Sequence, residues 1–296
     1  MSNLDKRKIR ESFNRSAKDY DQHAVLQKTV AERLLTRLDL ININPAWILD
    51  AGSGTGSTAR ALAKRYRSAR IVQADFAPLM LHQSRSRSWR FWSRQHYLCA
   101  DVEMLPIADR GFDLIFSSLT YQWCNDPGQT FTEAGRILKP NSLLLFATLG
   151  PDTLKELRAS WAAADDHAHV NTFLDMHDIG DALVRAGMEG VVMDVETITM
   201  HYDDCKGLMS AIKAVGAHNV NTTRLRGLTG KGKLQRMVQA YEQCRSKDGL
   251  PVTYEIVYGH AWTPVQDHVA HHHGQTVYVP VSNVRRYKDR SQEKRP

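Results

Sequence analysis

The sequence predicts an α/β fold: a doubly wound, mostly parallel sheet of seven strands, with helices ahead of it and a helical lid inserted before its last strands. Two observations carry this. Short apolar runs alternate with helix-period segments between residues 47 and 149, and a turn with glycines at alternate positions, "AGSGTGS", follows the first run. Continuous apolar runs suit strands covered on both faces, and their alternation with helices implies parallel crossovers.

Taken in order, Ile9, Phe13 and Ala17, then Val30, Leu34, Leu35 and Leu38, recur at helical spacing and predict two helices before the sheet. "WILDA" (47–51) reads as a strand, "TARALAKRY" (58–66) as a helix, "RIVQAD" (70–75) as a strand and "PLMLHQSR" (78–85) as a helix. The strands "YLCAD" (97–101) and "FDLIFSS" (112–118), the helix "FTEAGRIL" (131–138) and the strand "SLLLFATL" (142–149) complete the core. After Gly150-Pro151 the texture changes. Helices are expected at 152–165, 176–187, 207–216 and 232–245, an alternating strand at 191–202, and a last strand, "VTYEIVYGHAW" (252–262), returning to the sheet as an edge.

At 296 residues and 42% hydrophobic content the chain can bury one substantial core. No apolar run approaches the roughly 18 to 20 residues of a membrane span, and the first residues lack the apolar centre of a signal peptide, so a cytoplasmic protein with no membrane partner is expected. A formal charge of +7 favours an acidic partner, and Arg85, Arg87, Arg90 and Arg94 are candidates to meet it. Four cysteines without a CxxC pair indicate neither disulfides nor zinc. The histidines at 260, 268, 271, 272 and 273 lack a second ligand set, so they read as a flexible linker and no metal is expected; Asp165-Asp166 reads as a solvated pair.

The fragment from Gly54 to Ala59 formally fits the dinucleotide pattern G-x-G-x-x-G/A, with Asp75 at the required distance. The fit is poor where it matters. Gly52, not Gly54, opens the turn, and Asp50 ends the strand just before it, where a carboxylate repels a pyrophosphate but suits a cation. S-adenosylmethionine answers both points, having a sulfonium and an ammonium but no phosphate. Gly52, Gly54 and Gly56 then allow close backbone approach, Asp50 faces the ammonium side, Asp75 accepts the ribose hydroxyls, and Asp101, followed by Val102, takes the adenine amino group. A strand-terminal Asp also serves as a helix cap, and that role stays open for Asp75.

"DAGSGTG", "ADVEMLP", "FDLIFSSLTYQW" and "RILKPNSLLLFAT" resemble the motifs of class I S-adenosylmethionine methyltransferases over residues 47–148, with a Rossmann-like sheet implied. Ser53 stands where that family usually has cysteine, and Asn141-Ser142 where it usually has two glycines. The flanks at 11–27, 122–124, 150–161, 169–183, 211–219 and 249–262 are similar to the malonyl-acyl-carrier-protein O-methyltransferases of biotin synthesis. That resemblance implies methylation of the free carboxylate of a malonyl thioester on an acidic carrier protein. It divides the chain into one domain over 1–263, with a helical cap (1–40), a cofactor-binding core (45–150), a lid and substrate region (151–250) and a late edge strand (251–263). A basic, disordered tail would follow at 264–296. A methyltransferase-like assembly factor of mitochondrial complex I shares "DTL-ELR" and the last strand, which makes a protein-modifying factor the second expectation. RNA methylation, from the Arg/Trp/Phe interleaving of 85–94, is the third; a solvated basic surface explains the same residues, and no nucleic-acid partner is expected.

The same resemblance nominates substrate residues. Tyr20 either aims its phenol at the acceptor or packs as a lid on the adenosine side. Gln122 and Trp123 line an acceptor channel, or Trp123 belongs to the core. His169 and Asn171 contact substrate or cap the helix that follows. Arg158 pairs with the malonate carboxylate or is solvated.

Overall fold

The computed structural model describes residues 4–87, 94–217 and 230–265, within which lie seven strands and ten α-helices. The strands are β1 (Trp47–Ala51), β2 (Arg70–Asp75), β3 (Gln95–Cys99), β4 (Phe112–Ser118), β5 (Leu138–Leu149), β6 (Glu189–Tyr202) and β7 (Leu250–Trp262), in the spatial order β3-β2-β1-β4-β5-β7-β6. β1 to β5 run parallel, and β7 pairs antiparallel with both β5 and β6. The doubly wound sheet is therefore as expected. The strand order reverses between β1 and β4, which places a ligand crevice at the carboxyl ends of the parallel strands.

One expectation fails: the last strand is not the edge. β7 lies inside the sheet, and β6 takes the edge. The physical reason is visible in the side chains. Val252, Ile256, Val257, Tyr258 and Ala261 of β7 are fully buried, whereas β6 has no buried residue and exposes Val192 and Val195. Only β7 has enough apolar surface for both faces.

Apolar stripes of α3 (Val25–Arg37), α4 (Ser57–Arg65), α7 (Lys155–Ala162) and α10 (Lys231–Glu242) cover one face of the sheet, with Leu34, Leu62, Leu157 and Tyr241 in a single cluster. α6 (Pro127–Ile137) and α8 (Met176–Arg185) cover the other through Phe131, Ile137 and Leu183. α8 thus flanks the sheet and is no part of a lid. α9 (Cys205–Ala214) lies between β6 and α10 in the chain, and α5 (Pro78–Ser86) packs on β2 and β3.

The N-terminal region holds α1 (Lys6–Ser16), a short α2 (Tyr20–His23) and α3, where two helices were expected. The extra piece, α2, is tied to the glycine turn: Thr55 Oγ1 donates to Asp21 Oδ1 at 2.6 Å, and Arg87 pairs with the other oxygen. β3 ends at Cys99, so Asp101 lies past the strand in a bridge to Met104.

Candidate active site

A cavity of about 1520 Å³ including its mouth opens at the carboxyl ends of the strands. Phe76, Met80, Ala100 and Val102 make one apolar end, and Leu149, Leu157, Met200, Tyr202 and Tyr254 make the other. The glycine turn and the β4 end, Ser118 to Thr120, lie among its walls.

Asp75 sits on the wall, 9% exposed. Its two oxygens accept from the backbone N–H of Gly54 at 2.9 Å and of Ala77 at 2.8 Å, so it orders the turn as well as facing the cavity. Burial pushes its pKa up to about 6 against the pull of those two amides. Asp50 is not on the wall. It lies beneath the turn, 2% exposed, where burial and the neighbouring Asp75 push it up to about 7. Asp101 lines the cavity but is held by Lys6 of α1 at 3.0 Å, and Lys6 also pairs with Glu103. Val102 lines it too.

The three glycines divide by role. Gly52 and Gly54 reach the cavity and Gly56 does not. A Cβ on Gly56 would stand 1.9 Å from Ser84 Oγ and 2.7 Å from Gln73 Oε1, at φ +77°, so close packing against α5 and β2 demands glycine there. A Cβ on Gly54 would meet nothing within 4 Å. Gly56→Ala is expected to cost about 3 kcal/mol or more, through overlap plus left-handed strain. Gly54→Ala should cost only the strain, about 1 to 2 kcal/mol. Denaturant melts compare them directly, and equal losses would reject this division.

Tyr20 lines the cavity, half-buried, packing beside Ala77 and Met80, and its hydroxyl has no hydrogen-bond partner among the described residues. Burial, with Asp75 and Asp21 nearby, holds the phenol well above its usual pKa, so it remains a donor. Trp123 fulfils both expectations, 8% exposed on the wall and edge-on to Phe13 at 5.5 Å in a cluster with Leu4 and Ile9. Gln122 is fixed there by donating to Leu119 O at 2.8 Å and accepting from Thr148 at 3.3 Å.

His169 and Asn171 reach the wall from the segment before α8. His169 stacks on Trp161 with ring centroids 3.7 Å apart and meets Asp165 at 2.8 Å. Asp165 is no solvated acid: it also pairs with Lys233 at 3.2 Å and accepts from His167 N, which draw its carboxyl down to about 2 although burial opposes them. Asn171 is 8% exposed, and its amide has no hydrogen-bond partner among the described residues. Arg158 is not brought to the cavity. Its guanidinium donates to the carbonyls of Pro151 at 2.9 Å and Thr153 at 3.0 Å, five and seven residues back, which bend the turn into α7.

Of the basic patch, Arg87 is spent on Asp21, Arg94 bonds the Ser68 carbonyl, and Arg90 lies outside the described residues. His260 belongs to β7, where burial lowers its pKa; the other four histidines and the tail lie outside the described residues. Sequence reasoning missed Lys6, Phe76, Tyr202 and Tyr254. Phe76 alone left a signal, as the residue directly after a strand-end acid.

Among the described residues, the fully buried side-chain atoms with no partner are Asp50 Oδ2, Ser53 Oγ and Asn171 Oδ1. Two belong to the glycine turn region and one to the wall. Of the three, Asn171 alone lines the cavity. Cys124, on the wall, is pushed up to about 12 by burial, and His169 is engaged with Asp165.

A family profile described as "Methyltransferase domain" matches residues 49–146. The chain is 51% identical over 267 residues to a malonyl-acyl-carrier-protein O-methyltransferase of Laribacter hongkongensis, covering 88% of this chain and 90% of that one. It is 50% identical over 266 residues to a protein of the same name from Methylovorus, with the same coverage. A solved phosphoethanolamine N-methyltransferase 2 of Haemonchus contortus, in complex with S-adenosyl-L-methionine, shares the fold at TM-score 0.53 and 15% identity, covering 85% of this chain and 57% of that one. No helix among the described residues is long and apolar enough to cross a membrane.

Proposed function

The chain belongs to the malonyl-acyl-carrier-protein O-methyltransferases, and from that membership we infer that it methylates the free carboxylate of a malonyl group held as a thioester on acyl carrier protein. The observation that carries the reading to this site is one cavity with two apolar ends that has the glycine turn and Asp75 on its wall.

S-adenosylmethionine fits the nearer end. Gly54 leaves open space above the turn, Asp75 offers its remaining lone pairs to the ribose, and Phe76 and Val102 provide apolar walls for the adenine. Asp101 keeps acceptor capacity beside Lys6. Asp50, buried under the turn, adds negative field without touching the cavity. When bound, the cofactor supplies a methyl group made electrophilic by the sulfonium.

The rest falls to the chain. A malonyl carboxylate is ionised at neutral pH, so no residue has to remove its proton. The work left is to hold one oxygen in line and exclude water. Tyr20 and Asn171, like His23 and Gln27, are donors on the wall with no hydrogen-bond partner among the described residues, and Tyr20 and Asn171 are assigned to the carboxylate. Gln122, already bonded at both ends, keeps the β4 turn rigid beside them. The methyl ester formed is uncharged, which lets it enter chain extension as an ordinary acyl group.

Incubating the protein with S-adenosylmethionine and malonyl carrier protein should add the mass of one methylene to the carrier, and cleaving the thioester with neutral hydroxylamine should return the carrier to its unacylated mass. A protein that binds the cofactor yet leaves malonyl carrier protein unchanged would overturn the assignment.

A further inference from the structure

A groove on the surface adjoins the cavity. Its walls share His23, Leu157, His169 and Ile212 with the cavity, so the two are separated by no more than these side chains. Arg15, in the last turn of α1, and Lys213, in the last turn of α9, stand in its walls. Both are exposed, and neither has an ion-pair partner among the described residues, although most other cations near the site are paired. The groove has one acid, Asp19, against these two cations. A second recess, beyond Gln122 and Phe173, shares wall residues with the cavity too, but no charged side chain lines it.

Resting on the malonyl-thioester reading, we propose that this groove admits the phosphopantetheine arm, with Arg15 and Lys213 holding its phosphodiester. The arm is a long, narrow chain with a single anion at its outer end and the thioester at its inner end. Two exposed, unpaired cations on a groove whose other walls are shared with an apolar cavity match that order of charge. The uncharged recess does not. Long flexible cations at the surface cost little to keep unpaired in water, and a phosphate accepts from both at once.

The proposal predicts a preference that a cavity for malonyl alone would not have. Two free thioesters serve as probes: malonyl-phosphopantetheine and malonyl-pantetheine, which differ by the phosphate. Two exposed charge contacts together are worth about fivefold to twentyfold, and the wild type should prefer the phosphorylated probe by that factor in kcat/KM. The double variant Arg15→Ala/Lys213→Ala should bring the ratio close to one. Equal use of both probes by the wild type, or a preference retained by the double variant, would overturn the groove assignment. So would a wild type that methylates malonyl carrier protein but neither free probe, because the arm would then contribute no recognition of its own. Failure to methylate malonyl carrier protein as well would strike the reaction itself.

Discussion

Replacing Asp75 with alanine is expected to weaken S-adenosylmethionine binding by roughly 10- to 200-fold, the loss of a charge-assisted pair of contacts worth about 1.5 to 3 kcal/mol. The structure adds a second cause, because the same carboxylate holds the N–H of Gly54 and of Ala77. Asp75→Asn separates the two. It keeps the shape but turns an NH2 toward one of those amides, donor against donor, so affinity should fall nearly as far while the fold survives. The pH dependence has a definite sign. Burial raises Asp75 to about 6, so the unliganded site gains a proton as pH falls through 6 and then offers fewer acceptors. Affinity should therefore be level near pH 8 and decline below about 6, and Asp75→Asn should remove the part of that decline due to this group. Titration calorimetry at several pH values measures all three; a folded Asp75→Ala protein with unchanged affinity would take Asp75 out of the site.

The parallel core was legible because a strand buried on both faces must be apolar throughout, and β1, β2 and β4 match the runs 47–51, 70–75 and 112–118. The position of β7 was legible too, but through the other strand. β6 carries Asp194 and Glu196 among its apolar residues, pairing with Arg37 and Arg33 of α3, and a strand with that alternation belongs at an edge. The acids of the glycine turn could be found because their spacing is local. What could not be read is which charges are already spent. Arg158 turns back on carbonyls five and seven residues away, Arg87 meets Asp21 across 66 positions, and Lys6 meets Asp101 across 95. Arg158 and Arg87 looked available in the sequence, and only tertiary packing decides that Arg158 is spent while Arg15 and Lys213 are not. Asn141 shows the limit in another way: where the related families have glycine it adopts φ 56°, a left-handed turn that asparagine tolerates.

Where the nucleophile's electrons come from decides the last expectation. A malonyl carboxyl ionises near pH 4, so above about pH 5.5 nearly all of it is ready to attack. With S-adenosylmethionine saturating, which keeps the titration of Asp75 out of the measurement, kcat/KM for the malonyl substrate should rise through the acid range and stay level from pH 6 to 8. On the wall Cys124 is held protonated and His169 is bonded to Asp165, and the plateau expects His23, which also lines the cavity, to take no part in the transfer. Tyr20 keeps its proton as well, because burial near two acids disfavours the phenolate, so it acts at every pH in that range as a donor and never as a base. Tyr20→Phe removes this donor and leaves the ring that packs beside Ala77 and Met80. The variant should lose roughly 10- to 1000-fold in rate, the scale for one oriented donor at a charged oxygen, while cofactor affinity changes little. The shape of its pH profile should not change, since no titrating group has been removed. Stopped-time assays across pH 5 to 8, with cofactor binding measured in parallel, read both quantities. A required group titrating near 7 in the wild type would sink the base-free mechanism, and normal turnover in Tyr20→Phe would return Tyr20 to the role of a lid over the adenosine.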